Sequence, residues 1–315
     1  MKVIEHTDQD GSVKRAAAIG MFDGVHLGHM EIIRCLKEEA SKRGLETAVI
    51  SFRNHPQLFF KKDSDLKMLM SLDDRLRKLS DAGVDTIILF DFDKPLSQLS
   101  AYDFIKKIRD EFGVSLLMIG FNHRFGHNKS DNFYDYCRYG KELGVEIIKG
   151  KEYAGIYCPV SSSIIRKLIL AGKVDDAMKC LGVPFTLKGK VVHGFKKGRE
   201  IGFPTANIIP ENDRAIIPHN GVYAVNVILE NGERYGGMVN IGTRPTFTDE
   251  KKISIEVNIF DFAGDIYGQN LTLEFIKFIR SETKMESVEM LIKQLKSDEV
   301  DARHILKNMD NLNIN

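Results

Sequence analysis

The 315-residue chain lacks any surplus of charge: 45 Lys and Arg stand against 44 Asp and Glu, a formal net charge of +1. A polyanion-binding protein shows a basic excess or stripe, so no nucleic-acid partner is expected. Small phosphorylated ligands stay open, because a few local donors hold them. Cysteine is scarce. Cys35, Cys137, Cys158 and Cys180 are the four, and no two form a C-x-x-C pair. That excludes a spaced zinc framework and gives no sign of a disulfide scaffold. Met1-Lys2-Val3-Ile4-Glu5-His6 turns polar at once, unlike a secretory signal. No run approaches the roughly 18 apolar residues of a membrane span. The expectation is a cytoplasmic protein with no membrane association. No internal repeat and no low-complexity segment is present. What remains is ordinary for a globular chain, with 43% hydrophobic and 28% charged residues. At about 150 residues per domain the length predicts two domains, each able to bury a core without staples.

The first half alternates strands and helices. Strand patterns cover Ala16–Ile19, Thr47–Phe52, Thr86–Phe90, Ser115–Ile119 and Val145–Ile148. Between them lie helical patterns at Met30–Arg43, from Ser71 to near Gly83, Ala101–Phe112 and Phe133–Leu143. In the first of these Ile32, Ile33, Leu36 and Ala40 share a face, and Gly44 stands at the C-cap position. Ser71 followed by Asp73 and Asp74 is an N-terminal signal. Such alternation predicts an α/β domain with a parallel sheet covered on both faces. After Leu181-Gly182-Val183-Pro184 the pattern changes. Val222–Leu229, Ile253–Phe262 and Leu271–Ile279 read as strands without intervening helices, and Met285–Leu306 as one or two amphipathic helices. An antiparallel sheet or barrel closed by a terminal helix is expected there. The boundary falls between domains at 1–182 and 183–315.

Chemistry concentrates in a few segments. Gly20-Met21-Phe22-Asp23-Gly24-Val25-His26-Leu27-Gly28-His29 follows the first strand and opens the first helix, where doubly wound sheets meet phosphate ligands. Its glycines let backbone approach an anion, and two histidines donate hydrogen bonds where charge accumulates. Val160-Ser161-Ser162-Ser163-Ile164-Ile165-Arg166 sets hydroxyls and a guanidinium at a helix start, suited to phosphate but equally to an N-cap. In the second half Gly194, Gly198 and Gly202 recur every four residues before Phe203-Pro204-Thr205-Ala206-Asn207. No Walker A motif is present. The spacing fits a loop whose backbone wraps an anion. Thr205 and Asn207 offer hard oxygens suited to Mg²⁺ beside nucleotide phosphates. Glu256 lies in a strand whose alternation would otherwise leave it solvated.

The H-x-G-H string resembles the nucleotidyltransferase superfamily of that name, and G-x-F-D-G-V-H-x-G-H its flavin adenylyltransferase branch. Phe52 with His55-Pro56, and Gly120-Phe121-Asn122-His123-Arg124-Phe125-Gly126, resemble two further segments of that branch, with His123 in place of Phe. The serine segment resembles its I-S-S-T-x-I-R motif, with Val160 and Ser163 as departures and Arg166 retained. Gly194 to Asn207 is similar to the riboflavin kinase signature G-x-x-x-G-x-x-x-G-F-P-T-A-N. Asn240-Ile241-Gly242-Thr243-Arg244-Pro245-Thr246-Phe247 and Ile255–Phe262 fall in register with it, Asn258 replacing His.

The whole chain thus resembles the bacterial bifunctional riboflavin kinase/FAD synthetases. The resemblance implies a Rossmann-like first domain and a six-stranded antiparallel β-barrel with a terminal helix. It implies phosphorylation of riboflavin by ATP to FMN, with Glu256 as base, then adenylylation of FMN to FAD with release of pyrophosphate. His26 and His29 become catalytic. Gly20, Phe22, Asp23, Gly24, Gly28, Ser161, Ser162, Ser163 and Arg166 become nucleotide or phosphate residues of the first domain, and Gly194, Gly198, Gly202, Thr205 and Asn207 those of the second. His55, Asn122, Phe125 and Arg280 fall on the flavin side. The substrates are small molecules, with Mg²⁺ held by Thr205 and Asn207, in a monomer or weak homo-oligomer. Met21, His123 and Ser163 depart from the adenylyltransferase pattern. On sequence alone, an enzyme with one surviving activity, or a non-catalytic flavin- or nucleic-acid-binding regulator, also stays open.

Overall fold

The computed structural model describes residues 1–5, 13–61, 63–121, 123–127, 131–155, 160–194, 197–244 and 252–312. The chain forms two compact units, Met1–Leu66 with Ser71–Val160, and Lys67–Met70 with Ser161–Asn315.

The first unit runs β1 (Lys2–Ile4), β2 (Arg15–Ile19), α1 (Leu27–Arg43), β3 (Glu46–Phe52), α2 (Pro56–Phe60), α3 (Leu72–Asp81), β4 (Thr86–Phe90), α4 (Lys94–Gln98), α5 (Ala101–Phe112), β5 (Val114–Ile119), α6 (Phe133–Leu143) and β6 (Glu146–Lys149). The six strands form a sheet in the order β1-β4-β3-β2-β5-β6, and every pair is parallel. Central β2 contributes Ala16, Ala17 and Ala18, all fully buried, so helices on both faces approach it closely. Local signals set the helix ends. The Ser71 and Ser100 hydroxyls accept the Asp74 and Asp103 amides at 3.1 and 3.0 Å. Gly44 and Gly113 close α1 and α5 as left-handed C-caps. The α5 span is the one the sequence predicts. Strand β1, unforeseen, adds an edge by pairing with β4. Because successive strands leave β2 in opposite directions, the loops after β2 and β5 meet at the switch point of strand order, where open α/β sheets bind ligands.

The second unit runs α7 (Ser162–Leu170), α8 (Val174–Leu181), β7 (Phe185–Val192), α9 (Lys197–Glu200), β8 (Ala206–Pro210), β9 (Gly221–Ile228), β10 (Arg234–Arg244), β11 (Lys252–Ile259), β12 (Asn270–Arg280) and α10 (Val288–Leu312). Six strands close an antiparallel barrel in the order β10-β11-β8-β7-β12-β9. Tyr223, Val225, Val227, Val239, Ile241 and Val257 fill its interior, each fully buried. The outer face is covered as well, since Val222, Ala224, Met238 and Ile276 pack against Ala302 and Leu306 of α10. The expected terminal helix is a single one, its first turn started by the Ser287 hydroxyl accepting the Met290 amide at 3.2 Å. The strand expected to reach Phe262 stops at Ile259. Asp261 takes a left-handed φ of 56°, and Arg303 of α10 holds its carboxylate at 2.7 and 3.0 Å. The sequence places the domain boundary between 182 and 183; α7 and α8 pack within this second unit, α8 against β7 and β12.

Candidate active sites

In the first unit, the loop after β2 delivers His26 as the N-cap of α1. Its Nδ1 accepts the His29 amide at 3.3 Å, which places the proton of the neutral ring on Nε2. His29, one turn on, stacks on His26 with ring centroids 3.6 Å apart and lies 4.9 Å from Phe22. Its Nδ1 is buried and has no hydrogen-bond partner among the described residues. Buried polar atoms are ordinarily satisfied, so an unsatisfied one at a helix N-terminus marks a place for a ligand oxygen. Asp23, Gly24 and Val25 are buried in the same loop.

Beside this loop lies a cavity of about 430 Å³ walled by Phe52, Phe60, Phe92, Phe104, His123 and Phe125. Phe125 stacks on Tyr136 at 4.5 Å, and the Tyr136 hydroxyl bonds the Phe125 backbone on both sides. An aromatic cavity of this size has room for a flat, multi-ring ligand. His55 contributes indirectly: its Nδ1 accepts the Gln57 amide at 3.1 Å, capping α2, which brings Pro56 and Phe60 to the wall.

Burial lowers the His123 imidazole from its ordinary 6.5 to about 4. His29 is held well below 6.5, first by desolvation and then by His26 and His123. In an unfolded chain both protonate at about 6.5. The unfolded state therefore binds more protons below that pH, so stability is full above about 6.5 and is lost as pH falls toward about 4. His123→Phe removes one of the two groups. In this variant the melting temperature of the first unit is expected to fall less between pH 6.5 and 4 than in the parent; equal slopes would refute the assignment.

In the second unit the site stands on the outer face of the barrel. β8 pairs with β11 so that Asn207 lies opposite Glu256 and Ala206 opposite Val257. The Thr205 hydroxyl donates to Glu256 Oε2 at 3.4 Å, and buried Asn258 donates through Nδ2 to the Pro204 carbonyl at 2.7 Å. Gly194 packs so closely on the Asn207 amide that any Cβ there would collide with it. Two cavities flank this ladder. One, of about 340 Å³, is lined by Phe203, Asn240, Glu256, Asn258 and Arg280; the other, of about 380 Å³, by Arg199, Pro204, Phe262, Asp265 and Tyr267. Thr205 lines both. Two compartments meeting at a hydroxyl beside a carboxylate suit the transfer of a group between two substrates.

Comparison with known proteins decides the family. An FAD synthetase family model matches residues 8–164, and a riboflavin kinase family model matches residues 181–306. A bifunctional riboflavin kinase/FMN adenylyltransferase of Listeria monocytogenes is 38% identical over 94% of this chain and 94% of its own. The Bacillus subtilis and Escherichia coli proteins of the same name are each 35% identical, covering 96% and 95% of this chain and 96% and 94% of their own. The chain belongs to the bifunctional riboflavin kinase/FMN adenylyltransferase family. It carries the domains for both reactions, phosphorylation of riboflavin to FMN and adenylylation of FMN to FAD. A solved structure described as a macrolide-efflux protein from Streptococcus pneumoniae superposes with a TM-score of 0.86 at 33% identity, covering 96% of this chain and 98% of that one. Among the described residues of this chain, no helix is long and apolar enough to cross a membrane.

Most of the expected residues of this bifunctional kinase/adenylyltransferase divide between the two units, but Ser161, Ser162, Ser163 and Arg166, expected with the first domain, lie in the second unit. Gly20, Phe22, Asp23, Gly24 and the N-cap His26 share the β2–α1 loop, Gly28 and His29 follow in the first turn of α1, and Phe125 lines the adjoining cavity. Ser161 spends its hydroxyl on capping α7, accepting the Ile164 amide at 3.3 Å; Ser162 and Ser163 form the first turn. Arg166 reaches the Lys67 carbonyl at 2.7 Å. Gly194, Gly198, Gly202, Thr205, Asn207 and Glu256 gather around β8 and β11. Asn122, Cys158, the Phe195-Lys196 pair and Pro245-Thr246-Phe247 lie outside the described residues.

Arg280 does line the Glu256 cavity, but its guanidinium is gripped by Asp298 of α10 at 2.7 and 2.8 Å. Gln294 adds a further bond to that fully buried carboxylate. Sequence reasoning missed Asp298. The signal was its position on the apolar stripe of α10, in line with Leu291, Leu295, Ala302 and Leu306.

Proposed function

We propose that adenylyl transfer belongs to the His26/His29 loop and riboflavin phosphorylation to the Thr205/Glu256 ladder, with residues 1–182 and 183–315 as the two functional domains. The observation that carries this reading is the meeting of two cavities at Thr205, beside Glu256. In the kinase, Glu256 takes the proton of the ribityl 5′-hydroxyl as that oxygen attacks the γ-phosphorus of ATP, and ADP departs. Because Glu256 lines the compartment that also holds Asn258 and Arg280, riboflavin enters there. The nucleotide occupies the compartment of Arg199 and Tyr267. Gly194, Gly198 and Gly202 are assigned phosphate binding by motif; a Cβ at Gly194 or Gly198 would collide with the Asn207 amide or the Phe203 carbonyl.

The donor set near Thr205 fits Mg²⁺. Its hydroxyl, just ahead of β8, joins the Asn207 amide oxygen and the Glu256 facing it on β11 as hard oxygens, few enough that phosphates and water complete the shell. Thr205 and Asn207 are the proposed ligands, and the ion would supply charge neutralisation on the transferring phosphoryl group.

In the first unit the aromatic cavity seats the flavin ring. The FMN phosphate attacks the α-phosphorus of ATP, the bond to the β-phosphate breaks, and pyrophosphate leaves. His26 through Nε2 and His29 hydrogen-bond the oxygens on which charge builds, aided by the N-terminus of α1. Ser161, Ser162, Ser163 and Arg166 are assigned phosphate binding by motif alone, and His55, Asn122 and Phe125 the flavin side.

A reducing, cytoplasmic setting is supported by Cys35 and Cys137, whose thiols form no disulfide among the described residues. A net charge of +1 supports small molecules rather than nucleic acid as partners, and a monomer or weak homo-oligomer remains the proposed assembly. Incubated with riboflavin, ATP and Mg²⁺, the purified protein is expected to yield FMN and then FAD on chromatography. FMN without FAD would leave only the kinase; no conversion would overturn the reading.

A further inference from the structure

Arg75 belongs to none of the motifs, yet it ties together the loops of the first unit's site. It lies on α3 with 2% of its surface exposed. Its Nη1 donates to the Met21 carbonyl at 2.8 Å and its Nη2 to the Phe52 carbonyl at 2.6 Å. Met21 opens the loop that carries His26 and His29. Phe52 ends β3, lines the aromatic cavity and leads into the turn of His55 and α2. The Ser51 hydroxyl reaches the same Met21 carbonyl at 3.2 Å. Burial lowers the Arg75 pKa to about 10, opposed by the charge of Asp23 in the loop above, so the side chain is a cation at neutral pH. Its Nε–H has no hydrogen-bond partner among the described residues.

The loop it holds is strained. Phe22 has a φ of 53° and Val25 a φ of 38°, both in the left-handed region, which a bulky or β-branched side chain rarely enters. Such conformations persist only where the surroundings over-determine them, and they gather at functional sites. The residue before Phe22 is Met21, whose carbonyl Arg75 and Ser51 pin from below. A desolvated guanidinium is costly to bury. Its planar fork reaches two carbonyls at once, one in the loop after β2 and one at the end of β3, which the single ammonium of a lysine does not match.

We propose that Arg75 is a positioning residue for adenylyl transfer, a clamp that holds the strained His26/His29 loop and the flavin-side turn after β3 in one fixed register. The inference rests on the assignment of adenylyl transfer to this unit. The clamp does not touch the reacting groups; it sets the distance between the histidines and the flavin cavity.

The test compares Arg75→Lys and Arg75→Met with the parent chain, measuring FAD formation from FMN and ATP alongside FMN formation from riboflavin. A misplacement of about 1 Å costs roughly a hundredfold in rate, so kcat for FAD formation is expected to fall about hundredfold in the Met variant and about tenfold in the Lys variant, with KM for FMN and ATP within about threefold. Riboflavin phosphorylation, carried by residues of the other unit, is expected to be unchanged. A Lys variant with parental kcat shows that charge alone suffices and overturns the clamp. So does a rise in KM with kcat held. Should the Met variant fail to fold, the Lys variant decides between the same outcomes. Failure of the parent itself to make FAD would overturn the underlying assignment, an outcome distinct from parental rates in the variants.

Discussion

Glu256→Gln is expected to lower kcat for FMN formation by about 10³-fold, in the middle of the range for loss of a positioned general base. Glutamine keeps the length and shape of the side chain, and its amide oxygen can still accept the Thr205 hydroxyl that now lies 3.4 Å from Glu256 Oε2. What it loses is basicity, so the variant separates proton removal from packing. KM for riboflavin should move little, because the cavity walls from Phe203, Asn240 and Arg280 are untouched. FAD formation from supplied FMN is the internal control, since the His26/His29 loop belongs to the other compact unit. The decisive measurement is therefore a pair of rates on one preparation. Kinase turnover within about threefold of the parent would remove Glu256 from the chemistry, because a general base contributes at least about a hundredfold. Loss of both rates in a folded protein would mean that the two reactions do not divide between the units.

How much of this was legible in the sequence depends on whether the cause of a feature is local. Helix α5 was readable to the residue because its cause is local: Ser100 caps one end and Gly113 the other. His26 and His29 were readable because their spacing and the strand before them announce a strand-to-helix turn. Strand β10 was not. Arg234–Arg244 contains Gly236, Gly237 and Gly242, which carry no strand pattern of their own, and β9 and β11 pair with it on either side. Glu256 looked outward by alternation, and so it does. The outer face of the barrel is nonetheless covered by α10 and the 197–205 segment, a tertiary fact that no local pattern carries. Arg75 and Asp298 were overlooked for a shared reason. Each is a charge on the apolar stripe of an amphipathic helix, Arg75 in line with Leu72, Leu76 and Leu79. A charge there faces the interior and needs a partner, which Arg75 finds in two carbonyls and Asp298 in Arg280. That pattern was available before the structure, and only the partners were not.

His29→Ala is the other large effect, and its value lies in the expected mismatch between activity and stability. Removing one preorganised donor from a charge-stabilising site costs about 10²–10³ in kcat, and FAD formation is expected to fall by that factor while riboflavin phosphorylation is retained. Two opposing terms act on the fold. The variant loses the stacking of His29 on His26 and its contact with Phe22, which a ring pair of this kind makes worth about 0.5–1.5 kcal/mol. It also relieves a buried Nδ1 that has no hydrogen-bond partner among the described residues, a group whose desolvation costs about 1–3 kcal/mol. The terms nearly cancel, so the melting temperature of the first unit should shift by no more than a few degrees. A residue kept for packing gives the opposite signature, a lowered melting temperature with activity lost only in proportion to the unfolded fraction. The same reasoning fixes the effect of ligand. His29 is held neutral at pH 7 because burial, His26 and His123 all disfavour its cation. Phosphate oxygens arriving beside Nδ1 supply the missing acceptor and the missing negative charge together. ATP should therefore raise the melting temperature of the parent's first unit more than that of His29→Ala, and an equal rise in both would place the phosphates elsewhere.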